Sequence, residues 1–284
     1  MSTPTLVPRL LIGAAIGALI GAVIGAAGGC AVSDGAGAAP PSPGRHPGKG
    51  LAKLDLGLGF DQVVVPGDMV PGATNDGTAT VDITVATQAG GRLTWTPGRA
   101  GGSAVRTPGY VAEGPVPAAA LVVRTDPSAP DPLDPGAADF VVGVDFRADP
   151  ATAGRAEDDG DNLVQRGRFG QPAQLKLQLD HGVASCRLAG TLGEVLVQAD
   201  QAVTPERWYR LTCTRSAGAV RMRLADLDGG TDPREWAVTA DPGTITFDGV
   251  PLSIGAKLAD HGRIAPGSAD QFHGTIDRVV LDVR

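Results

Sequence analysis

The chain has 284 residues, a formal net charge of −7 and only 4% aromatic residues, with 41 glycines and 23 prolines. Mild acidity argues against nucleic acid as a partner and against attachment to anionic lipid by charge alone. So much glycine and proline suits a turn-rich β protein better than a helical one. Lysine is confined to Lys49, Lys53, Lys176 and Lys257, far behind arginine, a usage that points to GC-rich codons and a high-GC bacterium.

Residues 1–32 read as a signal or membrane-anchor segment. Arg9 precedes a run without charge from Leu10 to Val32, long enough for the roughly 20 residues that a spanning helix needs. Gly13, Gly17, Gly21 and Gly25 recur every fourth residue, so they share one helical face and allow two helices to approach closely in lipid. Self-association through them is one expectation, and a plain bias to small residues is the other. The same segment also reads as an export signal, with Arg9 as its charged region and "AAGGC" as its processing site. It resembles a bacterial lipoprotein lipobox with Cys30 as the lipid acceptor, although Ala27 stands where that motif prefers a larger aliphatic residue. Of the three cysteines, Cys186 and Cys213 lie in segments that read as strands of one domain and can pair, which leaves Cys30 odd. Lipid anchor, retained helix and simple secretion stay open. All three put the domain outside the cytoplasm, where a disulfide persists, and an anchored form would sit on the outer face of the cytoplasmic membrane.

Residues 33–50, "SDGAGAAPPSPGRHPGKG", have no apolar periodicity and read as a disordered Gly/Pro/Ala-rich linker. From residue 51 to 284, short segments alternate with turn signals, and none carries a helical repeat over several turns. "ATVDITVAT" (79–87) puts Val81, Ile83 and Val85 on one face. "DFVVGVDFRAD" (139–149) aligns Phe140, Val142, Val144 and Phe146. A proline-rich stretch over 125–139 reads as a long loop. "QLKLQLD" (174–180) alternates Leu175, Leu177 and Leu179 with Lys176 and Gln178, and "WYRLTCTR" (208–215) aligns Tyr209, Leu211 and Cys213. A period of two with one apolar face belongs to antiparallel sheets packed on one side. Many such strands in one chain predict an all-β sandwich or barrel.

The order of segments resembles a laminin-G-like domain of the concanavalin A-like lectin/glucanase superfamily. "DFVVGVDFRAD" is similar to the family's early core strand, and Trp208 in "ERWYRLTCT" stands at the family tryptophan. "PLSIGAKL" (251–258) and "FHGTIDRVVLDVR" (272–284) resemble its closing strands. The last is the most specific, and its step from Ile276 to Val279 breaks alternation as a bulge would. The resemblance implies a jelly-roll sandwich of two antiparallel sheets in which the first and last strands pair, so residues 51–284 form one domain.

That fold hosts lectins, adhesion modules and glycan hydrolases, and does not choose among them. Retaining hydrolysis needs two carboxylates about 5 Å apart. The only superficial match, Glu157, Asp159 and Asp161, lies in a connecting loop and lacks the apolar alternation of such a strand. Asp158, Asp159, Asp161 and Asn162 are a candidate calcium set on a Gly-containing loop, with a solvated acidic turn as the plain alternative. Trp95, Tyr110 and Trp236 are candidate ligand contacts, since sugar faces expose aromatic platforms, against simple packing. His181, His261 and His273 are far apart and carry no catalytic motif. The sequence therefore predicts an exported, membrane-anchored, non-catalytic binding module, for which the resemblance implies a cell-surface or environmental glycan. A protein-interaction or envelope-structural module with a cell-envelope protein as partner is the alternative, a glycoside hydrolase comes a distant third, and no cofactor is certain.

Overall fold

The computed structural model describes residues 50–150, 155 and 160–284. Cys30, the glycine row, nearly all of the linker, Glu157, Asp158 and Asp159 lie outside the described residues. Within them the strands are β1 (Leu56–Leu58), β2 (Val81–Gln88), β3 (Thr94–Pro97), β4 (Ser103–Arg106), β5 (Ala118–Thr125), β6 (Phe140–Ala148), β7 (Asp161–Arg166) and β8 (Gln174–Asp180). They continue as β9 (Val183–Gly190), β10 (Gly193–Ala202), β11 (Trp208–Ser216), β12 (Ala219–Asp226), β13 (Arg234–Val238), β14 (Leu252–Ile254) and β15 (Gly274–Val283). The helical elements among the described residues are two 3-10 turns, Leu51–Lys53 and Asp260–Gly262.

Two antiparallel sheets form a sandwich. One runs β13-β12-β11-β6-β15-β4-β3, with β1 also on β15, and the other runs β10-β9-β8-β7-β14-β5-β2. The first and last strands pair, Leu56 opposite Leu281 and Leu58 opposite Val279. Strands β2 to β5 divide between the two sheets. The side chains predicted to face inward do so: Phe140, Val142, Val144 and Phe146 of β6 pack with Leu175, Leu177 and Leu179 of β8 and with Leu211 of β11 in one core. Cys186 of β9 and Cys213 of β11 are joined through that core, with their Cα atoms 6.1 Å apart.

Local chemistry sets the hairpins. Between Asp180 and Val183 the two linking residues, His181 and Gly182, have φ of 49° and 78°, the left-handed pair of a type I′ turn that matches strand twist. Asn75, in the "NDGT" stretch, accepts from the amides of Gly57 and Gly77 and donates to the carbonyls of Asp55 and Ala79. It thereby ties β1 to the chain that leads into β2.

Two bulges re-aim side chains. In β15 the register shifts between Ile276 and Val279, where the sequence breaks its alternation. In β7 it shifts between Asn162 and Val164. The extra residue lets both Leu163 and Val164 enter the core, while Asn162 and Gln165 both pair with outward residues of β8, Gln178 and Lys176.

Candidate functional site

The face of the seven-stranded sheet turned away from the core is polar where strands usually carry only solvated side chains. Because Leu175, Leu177 and Leu179 of β8 and Ala184, Cys186 and Leu188 of β9 face the core, the intervening residues share the outward face. Cross-strand pairing then fixes two rows. Ser253 of β14 stands opposite Gln165 of β7, which stands opposite Lys176 of β8 and then Arg187 of β9. One step along, Asn162 stands opposite Gln178, which stands opposite Ser185. Part of this face is walled by the chain before β15: Ala256, Leu258, Ile264 and Ala269 pack on Ala118, Ala120 and Val122 of β5. The same segment brings Lys257 and Asp270 beside Lys176.

These polar groups are covered yet not all partnered. Ser185 is 1% exposed and Gln174 3% exposed. The oxygens Asn162 Oδ1, Gln174 Oε1 and Ser185 Oγ, together with Arg187 Nε, make no hydrogen bond among the described residues. Each such atom costs about 1–3 kcal/mol, and a native structure seldom keeps several together without a use for them. The charges are arranged as tightly. Asp270 Oδ2 accepts from Lys257 Nζ at 2.7 Å and lies 3.6 Å from Lys176 Nζ, while Arg187 pairs with Glu194. Burial holds the Lys176 ammonium below its ordinary value; Asp270 opposes that shift, and Lys257 and Arg187 add to it.

The rim supplies an aromatic surface. The β7–β8 connection turns at Gly167, whose φ is 74° and whose missing Cβ would lie 2.1 Å from the Ala173 carbonyl; only glycine suits that place. The loop presents Phe169, 77% exposed, with the Arg187 guanidinium 4.4 Å from its ring centroid. Beside Gln165 and Ser253 opens a cavity of about 460 Å³ whose lining includes Arg124, Arg168, Gln171 and His261. Cavity, polar rows and Phe169 lie along one continuous face. The arrangement can accept and donate hydrogen bonds and offer an apolar plate to the same ligand.

On the outward face of the other sheet, charged groups pair with one another around a second cavity of about 310 Å³. Arg210 donates through Nε and Nη2 to the two oxygens of Asp145, each at 2.6 Å. Asp277, at the β15 bulge, accepts from the Arg99 amide at 3.0 Å. Burial first, then the carboxylates Asp145 and Asp61, pushes the Asp277 pKa up to about 6, against the pull of the Arg99 amide and the Arg210 charge.

Of the residues predicted from sequence, Cys186 and Cys213 are bonded. Trp95 requires a correction: β3 pairs with β4 and turns its indole inward, 4% exposed, against Phe60, so it offers a ligand no face. Tyr110 stands edge-on to His273, with ring centroids 5.5 Å apart. Trp236 lies on the edge strand β13 under the Arg234 guanidinium. The three do not form one platform. Asp161 and Asn162 belong to β7 rather than to a loop: the Asp161 carboxylate accepts from the His273 amide, and the Asn162 amide donates to Gln165. Their companions Asp158 and Asp159 lie outside the described residues, among which no group of three metal-ligating side chains converges. Of the outward rows only Asn162 is among the candidates that the sequence offers, and Phe169 is not. The signal for the row was the polar half of "QLKLQLD", read only for its apolar half.

No family model matches the sequence, and no curated protein matches it. Among solved structures, the botulinum neurotoxin serotype G binding domain aligns with 82% of this chain and 48% of its own, at 7% identity and a TM-score of 0.50. The LG1–3 region of the laminin alpha2 chain aligns with 57% of this chain and 30% of its own, at 15% identity and a TM-score of 0.43. Domain 4 of AbnA, a GH43 extracellular arabinanase from Geobacillus stearothermophilus solved with arabinotriose, aligns with 81% of this chain and 92% of its own, at 15% identity and a TM-score of 0.47. The chain thus spans less than half the length of the toxin domain and of the laminin region. At these identities the likeness is one of fold alone.

Proposed function

We propose that this protein is a non-catalytic binding module that takes a saccharide on the outward face of the seven-stranded sheet. The observation that carries the reading is an exposed aromatic ring, Phe169, on the same face as an open cavity of about 460 Å³ lined by Gln165, Arg168, Gln171 and Ser253. A polyhydroxylated ring fits that combination, since its hydroxyls both donate and accept and its C–H faces stack on an aromatic plate. Binding without catalysis is supported by the state of the nearby carboxylates. Asp270 and Glu194 are each engaged in an ion pair with a cation rather than offered as a pair to a scissile bond.

The same proposal places the protein outside the cytoplasm, held at the membrane by its apolar first segment. The Cys186–Cys213 bond supports an oxidising compartment. Mass spectrometry of the membrane-extracted chain separates the anchors: a lipidated Cys30 at the new N-terminus marks a lipoprotein, and an intact Arg9 with unmodified Cys30 marks a retained helix. A protein partner is the second reading, carried by Val63, Val65 and Met69, which are exposed close together in sequence before β2.

The test is a glycan array probed with the full-length chain in mild detergent, with calcium and then with excess chelator. Binding that is lost in Phe169→Ala supports the face described here. Binding indifferent to that change moves the site elsewhere. Silence across bacterial and plant polysaccharides overturns the saccharide reading and moves the search to an envelope protein.

A further inference from the structure

The net charge of the chain is −7, yet the outward face of β7, β8 and β9 runs against it. Three cations, Lys176, Arg187 and Lys257, share two carboxylates there, Asp270 and Glu194. The sharing is uneven. One oxygen of Asp270 serves both lysines, at 2.7 Å for Lys257 and 3.6 Å for Lys176, so Lys176 holds the weaker share. Glu194 is the more exposed partner of its pair, its side chain 43% exposed against 20% for Arg187, and solvent screens what it gives to the guanidinium. Arg187 Nε has no acceptor among the described residues. The adjoining cavity adds Arg124 to its lining.

Lys176 and Arg187 stand directly opposite each other on neighbouring strands, an arrangement that destabilises a sheet unless an anion lies between the like charges. A neutral sugar would leave this surplus uncompensated. A carboxylate or sulfate would accept from the exposed part of the Arg187 guanidinium and from the Lys176 ammonium together, in charge-assisted hydrogen bonds stronger than neutral ones. Resting on the saccharide reading above, we propose that the ligand of this face is an acidic saccharide whose anionic group seats on Lys176 and Arg187. The lining of the adjoining cavity then takes its hydroxyls, and Phe169 takes its apolar face.

The test titrates the full-length chain with tetragalacturonate, tetramannuronate, sialyllactose and a hyaluronan tetrasaccharide, each beside its own methyl ester, which keeps the sugar and removes the charge. The expected result is that at least one acid binds tenfold or more tightly than its ester. Lys176→Met should erase most of that ratio. Lys176→Gln and a thermal melt accompany it, so that loss of fold is recognised. An ester that binds as tightly as its acid overturns the anionic subsite and leaves the saccharide reading standing. The same holds if only neutral saccharides of the array bind. If no saccharide of either series or of the array binds, both readings fall.

Discussion

Residues kept against their own folding cost are the best markers of the site. Ser185 is covered and its hydroxyl has no partner among the described residues, so Ser185→Ala should raise stability by about 1 kcal/mol, as thermal melts would report. Lys176 makes the same point through pH. Its native pKa is lowered, chiefly by burial, so the unfolded chain binds the proton more readily and protonation opposes folding. Stability should therefore rise as alkaline pH climbs toward the ordinary lysine value, and Lys176→Met should abolish that rise. Asp277 supplies the opposite sign on the other sheet. Its native pKa of about 6 stands above the ordinary 3.8, so between these values the folded state holds a proton that the unfolded chain has lost. Stability must fall as pH rises from about 4 to about 6 and stay lowered above. Asp277→Asn keeps an acceptor for the Arg99 amide. It should raise stability at pH 7 by on the order of 1–2 kcal/mol and flatten that slope, as melts at pH 4, 5, 6 and 7 would report.

At the scale of the element, the site depends on one bulge and one loop. The period-two pattern makes the core of β6, β8 and β11 legible, because alternation is a direct image of which face is buried. It cannot reveal that Asn162 and Gln165, three residues apart, share a face: strict alternation assigns them to opposite sides, and the β7 bulge reverses that. Nor can it rank aromatic residues. Trp95 and Phe169 both sit beside glycines and polar residues in sequence, yet the pairing of β3 with β4 buries one and the Gly167 turn exposes the other. Two substitutions separate these parts. Phe169→Ala should leave stability within about 0.5 kcal/mol, as expected for an exposed side chain, and lower saccharide affinity at least tenfold. Gly167→Ala should cost about 1–3 kcal/mol through its left-handed backbone and the close Ala173 carbonyl, and weaken binding by displacing the ring. Hydrogen exchange confined to the 167–173 loop would distinguish displacement from general unfolding.

For the whole molecule, the disulfide decides how stability and binding are related. Cys186 lies between Ser185 and Arg187 on β9 and points the other way, through the core to Cys213 on β11. It thus fastens the strand that carries the site to the opposite sheet, from behind. Loss of the bond by Cys186→Ala with Cys213→Ala should lower stability by about 3 kcal/mol on the chain-entropy account. For a domain of this size that corresponds to a melting temperature about 6–12 °C lower. Binding should behave differently. The position of β9 is also fixed by its ladders to β8 and β10, and a cross-link that acts mainly on the unfolded chain has little to add to a strand already paired on both sides. Saccharide affinity measured well below the melt should therefore change less than about threefold, the ladder hydrogen bonds alone sufficing to hold Ser185 and Arg187 in register. If affinity instead collapses while the melt shifts only slightly, the bond acts on the native geometry of the outward face, and strain across the sandwich would have to be part of how the site is shaped.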